Sequence, residues 1–78
     1  MSLWTSTIDA LPPVNEEVLI LFKHRDDELT EDSLYYAVAH RLKSREFGLE
    51  RWSYYAEYQG YYEVVYWAPL PDKPRIPD

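Results

Sequence analysis

All six prolines of this 78-residue chain lie towards its two ends, at Pro12, Pro13, Pro69, Pro71, Pro74 and Pro77. Proline fixes φ and lacks a backbone donor, so neither a central strand nor a helix interior can run through those stretches. Regular pairing is thereby confined to the middle of the chain. The two flanks also mirror each other. Trp4 and Leu11-Pro12-Pro13 lead into the apolar run Val18 to Phe22, and Val64-Val65-Tyr66-Trp67 leads out through Ala68-Pro69-Leu70-Pro71. This layout predicts ends that pack on each other, with Trp4 against Trp67 and Pro69. Leu11, Pro12, Leu70 and Pro71 complete that closure.

The length fits one domain spanning residues 1–78, with an N-terminal arm over 1–16, a sheet over 17–68 and a Pro-rich tail over 69–78. A chain this short buries only about 60% of the surface its unfolded form exposes. A lone copy is therefore marginal, and pairing with a second copy would add buried area.

Within the sheet region, Glu17 to Lys23 carries five consecutive apolar residues between charges and reads as a central strand buried on both faces. His24 to Asp32 is charged and aperiodic, a solvated acidic loop. Ser33 to Leu42 alternates, with Leu34, Tyr36, Val38, His40 and Leu42 on one side, as a second strand does. Lys43 to Glu50 contains Gly48 and reads as a turn. Residues 51–57 fit either a strand or a short helix, and the tyrosine pair favours strand. Tyr62 to Trp67 is the last strand. Four successive strands predict a mainly β fold: an antiparallel meander, curled into a half-barrel and covered by the two Pro-rich arms, with at most one short helix.

Charge and composition exclude much. The net charge is −6, from 14 acids against 8 bases, the wrong sign for neutralising phosphates. Arg41, Lys43, Arg45 and Arg51 form the densest basic group, but Glu46 and Glu50 dilute it, which argues against a nucleic-acid partner. An acidic DNA mimic finds no support in regular carboxylate spacing. There are no cysteines, so thiolate metal sites and disulfides are excluded, in keeping with a reducing cytoplasm. No apolar run reaches the ~20 residues that span a bilayer, so no membrane partner is expected.

Catalytic constellations are missing as well. Ser33, Ser44 and Ser53 lack a nucleophile-elbow setting, and only two histidines are present. His24, between Lys23 and Arg25, reads as an exposed loop residue. His40, on the face of Val38, reads as a half-buried residue bonded to a neighbour. The acids Asp26, Asp27, Glu28, Glu31 and Asp32 are bunched, without the glycine a calcium loop uses at its sharp turn. With two glycines in the chain, Gly48 and Gly60, no phosphate-cradling loop exists. The expectation is a protein that is not an enzyme and needs no cofactor or metal.

Aromatic content is the anomaly: three Trp, eight Tyr and two Phe. Tyr54, Tyr55, Tyr58, Tyr61 and Tyr62 crowd one segment. Cross-strand aromatic pairing accounts for some of them. A protein-interaction or self-association surface, or a stacking platform for a ligand, accounts for the rest. Pro71-Asp72-Lys73-Pro74 has the spacing of a polyproline ligand, and packing of Pro69 to Pro71 on Trp4 and Trp67 is the commoner outcome.

Trp4, Leu11-Pro12, Val18-Leu19-Ile20, Trp52 and the closing Val65-Tyr66-Trp67-Ala68-Pro69-Leu70-Pro71 together resemble a family of small phage and prophage proteins known as domain of unknown function 551. The likeness runs over roughly residues 4–74, with the closing pattern its most specific part. Tyr66 stands where that family commonly has His, and Glu16 where it commonly has Gly. The resemblance implies a phage or bacterial origin and a small, mostly β fold, and it carries no reaction or ligand. Two functions remain in view. One is a non-catalytic accessory or protein-interaction module, expected as a homodimer. The other is a small-ligand domain holding a carbohydrate, peptide or nucleobase on an aromatic surface.

Overall fold

The computed structural model describes residues 3–46, 49–54 and 61–77. The chain is mainly β, with β1 at Thr5–Ser6, β2 at Val18–His24, β3 at Tyr35–Ala39, β4 at Arg41–Glu46, β5 at Leu49–Trp52 and β6 at Tyr62–Pro69. Among the described residues there is no α-helix, only a 3₁₀ turn at Glu31–Ser33 just before β3. Strand content follows from β-branched and aromatic residues in the proline-free middle.

The sheet is not the expected meander. Its order is β1-β6-β2-β3, antiparallel throughout, and β4-β5 forms a separate antiparallel pair. It is open, with β1 and β3 as edges, so it neither curls nor closes into a half-barrel. The reason lies at His40. The alternation through 33–42 continues across it, but the hydrogen bonds change partner. The His40 N–H donates to Ser53 Oγ at 3.1 Å, and the Ser53 N–H donates to the His40 carbonyl at 3.0 Å. One expected strand thus becomes two in different sheets, and residues 43–46, expected in a turn, extend β4. Within the ambiguous 51–57, Arg51 and Trp52 are strand, as favoured over helix, Ser53 and Tyr54 follow as a bend and a turn, and residues 55–57 lie outside the described residues; Leu49 and Glu50, expected in a turn, belong to β5.

β2 is central, as its apolar run requires. Val18, Ile20 and Phe22 point to one face with Ala39, Val64 and, from the β4–β5 pair, Trp52. Ala37, Tyr62 and Trp67 pack on that cluster at its margin. Burying each large aliphatic or aromatic chain there contributes about 1.5–3 kcal/mol. A register shift between Leu21 and Phe22 leaves Val65 without a partner on β2, a bulge that keeps Val64 and Tyr62 on the core side.

The two ends do meet, but not as expected. The arm is partly strand: Thr5 pairs with Trp67 and Ser6 with Tyr66. Trp67 Nε1 donates to the Ala10 carbonyl at 3.0 Å, and Pro12 is fully buried. Asn15, in the left-handed region at φ 68°, turns the arm into β2 and donates its N–H to the Arg41 carbonyl at 2.9 Å. Trp4 does not stack on Trp67. Alternation along β1 places Trp4 on the opposite face from Trp67, and its ring reaches Tyr36 of β3, with centroids 6.2 Å apart. Pro69, Leu70 and Pro71 are exposed rather than folded onto the tryptophans, because Pro69 ends β6 opposite Val18 and the tail runs on into solvent.

Candidate interaction surface

Pairing registers divide the sheet into a covered face and an open one. Val18, Ile20 and Phe22 lie under the β4–β5 pair. The intervening Leu19, Leu21 and Lys23 share the other face with Tyr66, Tyr36 and Val38. Among the described residues, no second layer of strands lies over this open face. Trp4, the residue before β1, reaches across it to Tyr36. Leu21 and Ala68 are buried beneath, while Tyr36 is 73% and Val38 51% exposed. The result is an aromatic and aliphatic surface that ends at the free edge of β3.

One end of this face is closed by charge. Lys23 is only 5% exposed, and its Nζ sits 2.8 Å from Glu63 Oε1, directly across the ladder. It also donates to the carbonyls of His24, Arg25 and Asp27 at 3.2, 3.2 and 2.8 Å. A buried ammonium is tolerable only with its donors satisfied, and here they fix the start of the acidic loop. In the sequence Lys23 is the charge that ends the apolar run. Strand alternation carries it onto the face of Leu21, and that was the available signal.

The expected tyrosine surface is only partly gathered. Tyr55 and Tyr58 lie outside the described residues. Tyr54 and Tyr62 both meet Phe22, at 5.1 and 5.7 Å between centroids, and Tyr35 meets it at 5.7 Å. Phe22 is therefore the hub, a residue read from sequence only as part of a strand. His24 is the last residue of β2 and half-buried, with Tyr62 at 5.7 Å and Tyr61 at 6.3 Å, which corrects its reading as an exposed loop residue. His40 is half-buried and its Nδ1 lies 2.9 Å from Glu17 Oε1, the bonded histidine that was expected.

A cleft of about 290 Å³ opens between the arm, the sheet and the β4–β5 pair. Trp52 and Tyr62 line it together with Arg25, Arg45, Glu50 and Glu63. The charges are mutually engaged: Glu50 takes Arg41 and Arg45, each at 3.3 Å, and Glu63 takes Arg25 at 3.5 Å as well as Lys23. Arg51 donates to Ser44 Oγ at 3.1 Å. Of the basic group seen in sequence, Arg41 and Arg45 converge on Glu50 and Arg51 reaches Ser44, while Lys43 is exposed. Among the described residues, no three His, Asp or Glu side chains gather as metal ligands.

Compared with protein-family models, with curated proteins and with solved structures, the chain matches none of them.

Proposed function

We propose that this chain is a non-catalytic protein-interaction module of the phage or prophage accessory type, acting in the cytoplasm and presenting the open sheet face to a protein partner. The observation that carries the reading is the surface of exposed Tyr36 and Val38 with half-buried Trp4, Leu19 and Tyr66, which ends at an edge strand free among the described residues. Solvent-facing apolar surface of this kind marks association sites, and tyrosine and tryptophan supply large contact area at low entropic cost. The phage or prophage part rests only on the resemblance carried by Trp4, Leu11-Pro12, Val18-Leu19-Ile20, Trp52 and the closing Val65 to Pro71 pattern. Affinity capture from a bacterial or phage-infected lysate, followed by reconstitution with the purified partner, tests the surface. Tyr66→Lys on the open face should abolish that binding, and Tyr61→Lys at the far end of the sheet should not. A partner bound equally by both variants overturns it.

The cleft favours a second reading, a small-ligand domain. Trp52 and Tyr62 give it an apolar wall, and Arg25, Arg45, Glu50 and Glu63 give it polar groups. The engagement of those charges with one another weighs against it, since a ligand would have to compete with existing pairs. Titration with a panel of sugars, nucleosides and short peptides, read at the Trp52 indole, tests this. Saturable shifts there would favour the ligand reading.

A further inference from the structure

We infer that the partner at the β3 edge is a second copy of this chain, paired antiparallel about a two-fold axis through Ala37, which joins two four-stranded sheets into one of eight strands. This rests on reading the chain as an interaction module and names one partner for it.

Edge strands in stable monomers are normally blunted by charge, proline, a bulge or short length, because their unpaired N–H and C=O groups template further pairing. β3 is Tyr35-Tyr36-Ala37-Val38-Ala39, with no charge and no proline. Its register with β2 runs from Phe22↔Tyr35 to Val18↔Ala39 without a shift, so no bulge twists the edge away. Among the described residues nothing pairs with its outer side. The opposite edge is managed differently: β1 is only two residues long.

The strand is also self-complementary. A two-fold at Ala37 sets Tyr36 beside the partner's Val38, and Val38 beside the partner's Tyr36. All four side chains lie on the open face. Tyr36 and Val38 are the most exposed apolar residues of this strand on that face, and aromatic against β-branched is a favourable cross-strand pair. Tyr35 falls beside the partner's Ala39, whose small side chain clears the ring.

Charge selects the antiparallel sense. The exposed acids Glu31 and Asp32 precede β3, and Arg41 and the exposed Lys43 follow it. Antiparallel pairing brings the acidic end of one copy to the basic end of the other, at both ends of the contact. Parallel pairing would set acids beside acids. Arg41 is engaged with Glu50, and Lys43, two residues further along β4, is exposed.

The test is sedimentation velocity of the full chain at about 50 µM in about 0.15 M salt, where long-range repulsion is screened. The wild type should sediment as a species of about twice 9.4 kDa. Tyr36→Glu with Val38→Glu places four carboxylates at the seam and should weaken association by about tenfold or more. Tyr36→Lys with Val38→Glu restores complementary pairs in this register alone and should recover it. Since both positions are exposed, circular dichroism should match the wild type. If a variant fails to fold, wild-type amide exchange decides: protection within 35–39 should rise with protein concentration. A wild type that stays monomeric overturns the self-pairing while leaving the capture of a different protein as the test of the module. A dimer indifferent to the double glutamate variant also overturns it, by placing the contact elsewhere.

Discussion

Two tryptophans and one lysine separate what is buried from what merely looks apolar. Trp52 is 3% exposed in the core, whereas Trp4 lies half-covered across the open face. Trp52→Ala should therefore cost about 3–5 kcal/mol, the usual penalty for emptying a large core site. Trp4→Ala should cost less, about 1–3 kcal/mol, because part of its surface already meets water. Urea unfolding of the two variants side by side checks the order, and a Trp4 variant as unstable as the Trp52 variant would contradict the assignment of faces. Lys23→Met keeps the apolar stem but removes the ammonium that binds three loop carbonyls and Glu63, and should cost about 1–3 kcal/mol. Its local signature is faster amide exchange at Asp27, whose N–H bonds to the His24 carbonyl within the turn that Lys23 holds.

At the scale of elements, the prolines mark where pairing stops and the apolar run marks the centre of the sheet. Both were legible because each depends on a property of single residues: a missing donor, or a side chain with no polar atom. Strand order was not legible. The sequence around His40 alternates without a break, and only its two bonds with Ser53, thirteen residues on, reveal that the chain changes sheets there. The open face was hidden for a related reason, since alternation sorts residues into two sets without saying which set is covered. The side of the sheet that Trp4 takes was not legible because the arm was read as irregular; two paired residues suffice to fix its parity. The tail gives a direct test. Described residues 72–77 are exposed and outside every ladder, so ending the chain after Pro71 should change stability by less than about 0.5 kcal/mol. Ending it after Tyr66 removes Trp67 and Ala68 from beside Ile20 and Leu19 and should abolish cooperative unfolding.

For the molecule as a whole, the charge of −6 opposes any contact between copies. At about 0.01 M salt the screening length is ~30 Å, longer than the thinnest dimension of the molecule, 21 Å, so repulsion acts between entire copies. Association should therefore tighten when salt is raised to about 0.15 M, where only charges within ~8 Å still sense each other, and sedimentation at the two salt concentrations checks it. The sheet order has a consequence in time as well as in space. The centre of the fold, β2, has one partner close by in the chain and another, β6, made only after β3, β4 and β5. While the chain is being synthesised, β2 and β3 are made before β6, so any pairing between them leaves β2 bare along the side that β6 will fill. Folding must wait for that distant pairing, in the slow range of milliseconds to seconds typical of non-local β topologies. In that interval the most apolar strand of the protein is also its most available one, and a chaperone or a neighbouring nascent chain has its best opportunity to bind there.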